Sequence, residues 1–301
     1  MNFSNQSGRK LLYYILFTYL ISWSMVLIFR LTAPGLTLQS IPAFLMLVAY
    51  MFTPMISAII VQKAIFKQNL KEAFGVRFNW NRWWWIAWLS PVVIAFAAVG
   101  VSILFPSVQF SPGMEGLFER FRGTLTPEQM EQIHDMPIHP VFLALIQGLI
   151  AGLTINAVAG FGEELGWRGL MVDCLRKFNF WTASLIIGFV WGLWHAPIIL
   201  MGHNYPQNPT IGVGMMILFT ILFSPWFSLV RVKSRSVIAA SVLHGSFNAV
   251  AGISIMLVKG GNDLLIGTTG LAGLIVLALI DILLFAFYPA LRKGTLENVQ
   301  A

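Results

Sequence analysis

The chain has 301 residues, of which 57% are hydrophobic and only 10% charged, and its mean hydropathy is +0.76; a soluble domain carries about 25% charge. This excludes a water-soluble globule, and the 14% aromatic content excludes a disordered chain. The net charge of +7 has no soluble basic face to display it to nucleic acid, and the single Cys174 can form neither an internal disulfide nor a thiolate cluster.

Apolar runs of spanning length fall at 11–31, 41–62, 83–105, 140–162, 182–200, 211–230, 236–258 and 264–290. They predict an all-α, polytopic membrane helix bundle of about eight transmembrane helices, forming a single domain over 1–301. The first run follows Arg9 and Lys10 and lacks a small-residue cleavage pattern, so it is expected to be a retained helix rather than a signal peptide. Trp83, Trp84 and Trp85 read as an interfacial aromatic belt. The long connection 106–139 carries Glu115, Glu119, Glu128, Glu131 and Asp135, and Thr126-Pro127 followed by acids predicts a short capped surface helix there. Gly148 with Gly152, and Gly188 with Gly192, have the spacing that lets another backbone approach closely.

Basic residues gather in alternate connections. Arg9 and Lys10; Lys63, Lys67, Lys71, Arg77 and Arg82; Arg168, Arg176 and Lys177; Arg231, Lys233 and Arg235; and Arg292 and Lys293 make fifteen of the nineteen. Arg30, Arg120, Arg122 and Lys259 are left for the other side. The positive-inside rule then puts both termini in the cytoplasm, and an even number of spans, which puts both on one side, agrees with it.

Ionisable groups inside apolar spans are costly and therefore informative, at about 2.5–3.5 kcal/mol for a central Asp, Lys or Arg on insertion scales. Glu163, Glu164 and Arg168 close the fourth run, His195 lies in the fifth, His244 and Asn248 in the seventh, and Asp281 in the eighth. On a helix Glu164 and Arg168 are one turn apart and can pair, leaving Glu163 free on a face about 100° away. His244 and Asn248 share a face by the same spacing. A carboxylate, two imidazoles and an amide in a dry bundle can supply a base for water and donors for an oxyanion, which points to hydrolysis. Zinc bound by Glu163, His195 and His244 from separate helices is the alternative use of these groups, in the absence of a His-Glu-x-x-His pattern. Asp281 has no motif partner and stays outside the site, and His134, His139 and His203 fall in outer connections with no evident chemistry.

The arrangement resembles the CAAX-protease and bacteriocin-processing (CPBP) family of intramembrane glutamic endopeptidases, which includes the type II CAAX prenyl proteases. Glu163, Glu164 and Arg168 match its Glu-Glu-x-x-x-Arg motif, His195 its Phe-x-x-x-His motif, with Trp191 in place of Phe, and His244 and Asn248 its His-x-x-x-Asn motif. The likeness covers a motif-bearing core of about 140–250. It implies an enzyme that hydrolyses a peptide bond in a peptide or membrane-associated protein, in contact with the lipid bilayer and without nucleic acid. Glu163 and His195 then activate water, His244 and Asn248 stabilise the oxyanion, and Glu164 and Arg168 orient the site. The resemblance implies no cofactor and no metal, with a prokaryotic cell membrane as the expected location.

Two readings from other classes compete with this one. A proton-coupled transporter uses intramembrane acids and histidines but calls for inverted repeats, which the sequence lacks; a catalytically inactive immunity or scaffold protein keeps the fold without the chemistry.

Depth along the helices poses a problem for the assembled site. At about 1.5 Å per residue, His195 and Asn248 lie some 20 and 18 Å from the cytoplasmic starts of their runs, whereas Glu163 sits near the cytoplasmic end of its own. The groups meet only if the fourth span ends nearer Arg168 and the fifth begins later or is tilted. The motif's position further suggests a site opening toward the cytoplasm.

Overall fold

The computed structural model describes residues 5–120 and 126–299. Arg122, counted above with the less basic side, lies outside them.

The first span is α1 (Asn5–Thr32). The second is broken into α2 (Ile41–Met51), α3 (Thr53–Ile59) and a π-helical turn, Ile60–Ile65. Asn81 caps α4 (Arg82–Ser102) by accepting from Trp83 N at 3.0 Å. Between α4 and the next span come β1 (Val108–Phe110), α5 (Glu115–Arg120) and α6 (Pro127–His134). α6 is the expected surface helix: the Thr126 hydroxyl accepts from Gln129 N at 3.3 Å, and the Gln129 side chain accepts from Thr126 N at 2.9 Å, a complete capping box.

The motif-bearing part starts with α7 (Pro140–Leu153) and α8 (Ile155–Glu164), followed by a π-helical turn, Leu165–Leu170, and α9 (Met171–Leu175). The axis bends by 51° at Thr154, whose hydroxyl donates back to Ile150 O at 2.8 Å, a bond that competes with the helix ladder. Then come α10 (Phe180–Trp194), α11 (Ala196–Leu200), α12 (Pro209–Ser234), α13 (Val237–Val250) and α14 (Ile253–Met256). The chain closes with β2 (Val258–Gly260), α15 (Leu271–Phe287), α16 (Pro289–Lys293) and α17 (Leu296–Val299). β1 and β2 pair antiparallel, Val108 opposite Gly260 and Phe110 opposite Val258.

The chain is an all-α polytopic bundle. Among the described residues, five helices are long and apolar enough to cross a membrane, or six when the bent pair beginning with α7 counts as one. The fifth and eighth runs form α10 and α15, apolar helices of 15 and 17 residues. α10 stops early because Pro197 offers no N–H to continue its ladder.

Large apolar side chains are exposed along α1, α4, α7 and α15, among them Leu16, Val93, Phe142 and Ile282. That is the surface of a bundle solvated by lipid. The interior is built around α13, which packs on α8, α7, α4 and α12, while α10 packs on α12. Glycine permits both sets of contacts: a Cβ on Gly192 would lie 2.6 Å from Ile217 Cα, and one on Gly152 would lie 2.7 Å from Ser246 Cα. The tryptophan triplet divides its roles, Trp84 lying in the core and Trp85 remaining 49% exposed.

The two ends of the bundle differ chemically. At the basic end, Lys10 donates to Gln62 at 3.0 Å, Asn79 to Ser234 O at 3.2 Å and Asn179 to Arg292 O at 3.0 Å. At the other end, the β1–β2 pair, the acidic connection and the segment 201–208 gather: Tyr205 donates to Thr269 O at 2.7 Å, and Arg120 donates to Val258 O and Gly260 O at 3.1 and 3.0 Å.

Candidate active site

The depth problem is solved by the fourth span alone. Its helix runs past Arg168 to Leu175, through a π-helical turn that holds Gly166 and Gly169, so Glu163 lies twelve residues, or about 18 Å, from its basic end. The fifth span does not begin later, since α10 starts at Phe180. Arg168 is therefore no loop cation: it is completely buried within the helix.

Glu163 and Glu164, consecutive on α8, are both buried and face different partners. Glu164 pairs with Arg168 Nη1 at 3.2–3.3 Å, as the spacing predicts, and its Oε1 lies 2.7 Å from His244 Nδ1. Arg168 is held in turn by Ser224 Oγ at 2.9 Å and lies between the rings of Trp191 and Phe227, its Cζ 4.6 and 4.3 Å from their centroids. A planar guanidinium suits this slot between two aromatic faces.

Glu163 is less free than the spacing suggests. Its Oε2 accepts from Trp191 Nε1 at 2.8 Å and from Trp167 Nε1 at 3.4 Å. Its Oε1 lies 3.8 Å from His244 Nε2, too far for a direct hydrogen bond. The Trp191 that replaces the expected Phe thus holds one oxygen of the carboxylate and leaves the other toward the histidine.

His195 is the residue on which α10 ends. Its own N–H bonds back to Gly192 O at 3.1 Å, and its ring Nδ1 lies 2.9 Å from Trp191 O. A carbonyl only accepts, so Nδ1 carries the hydrogen and Nε2 points away with its lone pair. The end of α10 is anchored from α1 and α2, where Tyr19 donates to Val190 O at 2.8 Å and Tyr50 to Trp194 O at 2.6 Å.

His244 reaches the glutamates because α13 lies against α8 backbone to backbone. A Cβ on Gly245 would sit 2.4 Å from Ala157 N, and one on Gly160 would sit 3.0 Å from His244 Cβ. Asn248, one turn further along α13, is exposed into the cavity. Glu163, His195, His244 and Asn248 all line one cavity of about 420 Å³. Glu164 and Arg168 lie behind it.

Two features differ from the sequence reading. His203, assigned no chemistry, lines this cavity together with Asn204; burial holds its imidazole down to about 4. A loop histidine with no periodic partner gives no signal in sequence. The cavity also runs from Glu163 toward Ala251, Gly252, Asn204 and Thr269, at the end of the bundle opposite the basic residues. Asp281 is away from the cavity, with Oδ1 lacking a hydrogen-bond partner among the described residues. Among the described residues no three His, Cys, Asp or Glu side chains converge as ligands for a metal ion.

Residues 145–250 match the family model described as type II CAAX prenyl endopeptidase Rce1-like. Over 104 residues the chain is 33% identical to CAAX prenyl protease 2 of Methanococcus maripaludis, a stretch that covers 32% of this chain and 38% of that protein. The matched stretch thus falls on the helices that carry the candidate site, from α7 to α13.

Proposed function

We propose that the protein is an intramembrane endopeptidase that hydrolyses a peptide bond of a peptide or membrane-associated protein with activated water, in a prokaryotic cell membrane and without a metal or other cofactor. The observation that carries this reading is the single cavity in which Glu163, His195, His244 and Asn248 meet, within the Rce1-like region.

Glu163 Oε1 and the lone pair on His195 Nε2 act on water as general bases, a contribution of about 10²–10⁴-fold. The hydroxide equivalent attacks the scissile carbonyl carbon, and the carbonyl oxygen becomes the oxyanion. Asn248 donates its carboxamide N–H to that oxygen. His244 can do so only from Nε2, because Glu164 takes the hydrogen on Nδ1. In this role His244 must therefore be the imidazolium, with Glu164 as its counter-charge. Each such donor is worth about 10²–10³-fold. Collapse of the tetrahedral intermediate breaks the C–N bond, and the proton taken from water passes to the leaving amine. Arg168 acts as a positioning residue, fixing Glu164 and through it the histidine.

Glu163→Gln keeps the size of the side chain and removes the base. Reconstituted into liposomes, the variant should keep its melting temperature and lose cleavage of a membrane-protein precursor by at least about 10²-fold; cleavage at the wild-type rate rejects the assignment. A proton flux in sealed vesicles that survives the same substitution would favour a transporter.

A further inference from the structure

His203 stands apart from the other histidines whose side chains are described. The ring of His195 is bonded to Trp191 O, that of His244 to Glu164, and that of His139 to Pro112 O at 2.8 Å. Neither ring nitrogen of His203 has a hydrogen-bond partner among the described residues, although the imidazole lines the same cavity as Glu163, His195, His244 and Asn248. An imidazole kept for packing alone would find a carbonyl or a carboxylate, because a polar group that loses water without gaining a bond weakens the fold. The titration of His203 carries the mark of that loss: burial is the whole cause of its fall to about 4.

The main chain holds the ring in the cavity against local preference. Gly202 and Asn204, on either side, have φ of +96° and +60°, and for a residue with a Cβ that region is costly unless the surroundings impose it. Here they do. His203 N donates to Ile198 O at 3.1 Å, and Tyr205 N donates to His203 O at 2.7 Å. Beyond them Tyr205 is buried with its hydroxyl bonded to Thr269 O, and Asp263 accepts from Gln207 N and Asn208 Nδ2 at 2.6 and 2.7 Å. α11, five residues long, ties this turn to His195. The fold thus spends backbone strain to present an unbonded ring beside the candidate catalytic groups.

A neutral imidazole carries one N–H and one lone pair, whichever tautomer it adopts. In the hydrolytic scheme above, the donors Asn248 and His244 serve the carbonyl oxygen, and the acceptors Glu163 Oε1 and His195 Nε2 serve water. A polypeptide entering the cavity also brings a backbone N–H with every residue except proline, and each needs an acceptor once water is left behind. Resting on the peptidase reading, we propose that His203 is a substrate-binding residue whose ring lone pair accepts a hydrogen bond from a backbone N–H of the substrate beside the scissile bond. Burial keeps that lone pair free of a proton at neutral pH. The cavity of about 420 Å³ admits about two or three residues of extended chain at about 3.3 Å each, which keeps the bonded N–H close to the bond that breaks. The contact is blind to side chains and rejects proline at one substrate position. It is made alike to substrate and transition state, so it holds the chain without speeding the chemistry.

Precursor cleavage in liposomes gives the first test. His203→Ala should raise KM about tenfold and leave kcat within about twofold, and His203→Gln, whose side-chain oxygen is also an acceptor, should recover most of the loss. An equal rise in KM for both variants, or a fall in kcat at unchanged KM, overturns the proposal. The second test needs no turnover. Diethyl pyrocarbonate acylates unprotonated imidazole nitrogens, and mass spectrometry of the Glu163→Gln variant measures the adduct on His203. Saturating N-acetyl-tetraalanine methylamide should slow that acylation at least about fivefold, and the same peptide with every amide nitrogen methylated should not. Equal protection by both peptides, or by neither, overturns the contact. Protection by the unmethylated peptide alone, combined with a wild-type protein that cleaves nothing, would leave the contact standing and reject the peptidase reading instead.

Discussion

Substituting alanine for Gly245 tests whether backbone contact between α8 and α13 sets the geometry of the site. The added methyl would lie 2.4 Å from Ala157 N, 2.5 Å from Asn156 C and 2.7 Å from Ala157 Cα, all backbone atoms of a packed helix that cannot swing aside. Ordinary contact begins at 3.4 Å, so the helices must part by about 1 Å. The His244 Nδ1 to Glu164 Oε1 distance, now 2.7 Å, would then exceed hydrogen-bonding range, and the 3.8 Å separation from Glu163 would widen further. Overpacking of this kind costs about 1–3 kcal/mol, and a lost hydrogen bond to a charged group about 1.5–3 kcal/mol. A displacement of about 1 Å in a catalytic array lowers the rate about 10²-fold. Gly160→Ala, whose methyl meets His244 Cβ and Ser241 O at 3.0 Å, should have a smaller effect of the same kind. Gly214→Ala on α12 is the control, since nothing lies within 4 Å and helix propensity favours alanine by up to about 1 kcal/mol. The assay pairs the melting temperature in detergent with precursor cleavage in liposomes. If Gly245→Ala matched wild type in both while folding normally, the reasoning that links this helix contact to the position of His244 would be refuted.

Trp191→Phe removes the 2.8 Å hydrogen bond to Glu163 and keeps an aromatic ring against Arg168; kcat should fall about ten- to a hundredfold with KM nearly constant, and an unchanged kcat would show that Trp191 does not position the carboxylate. His203 titrates near 4 in the folded protein against 6.5 in an unfolded chain. Between those values the unfolded chain binds a proton that the native one does not, so native stability declines as pH falls across the window. The melting temperature of His203→Gln should therefore fall less steeply from pH 6.5 to pH 4 than that of wild type, and parallel slopes would contradict the assignment. Treatment with a zinc chelator should leave cleavage unchanged, whereas loss of activity with recovery on adding zinc would support the metal alternative built on Glu163, His195 and His244.

The parts of the site that were legible in the sequence depend on spacing along one helix. Glu164 with Arg168, and His244 with Asn248, are separated by one turn, and periodicity alone puts each pair on a face. The glycine pairs are equally local signals, and they do mark where α10 meets α12 and α7 meets α13. What the sequence concealed depends on where helices end. Hydropathy closes the fourth run at 162, because Glu163, Glu164 and Arg168 count as polar; yet Glu164 pairs with Arg168 inside the bundle, two indoles hold Glu163, and the helix continues to Leu175. A buried, hydrogen-bonded polar cluster therefore looks like a loop to any window average.

The exchange of Phe for Trp at 191 illustrates a second limit. In sequence it is a change of aromatic size, whereas in the fold its indole N–H meets a carboxylate 28 positions earlier in the chain. A buried carboxylate needs hydrogen-bond partners, and the indoles of Trp167 and Trp191 satisfy Oε2 from one side only. They donate hydrogen bonds without releasing the proton, so neither neutralises the base. Lysine or arginine in the same place would hold the carboxylate as well, but would add a cation beside an oxygen that has to accept a proton from water. Two indoles hold Glu163 in place, while the permanent positive charge, on Arg168, is directed to Glu164.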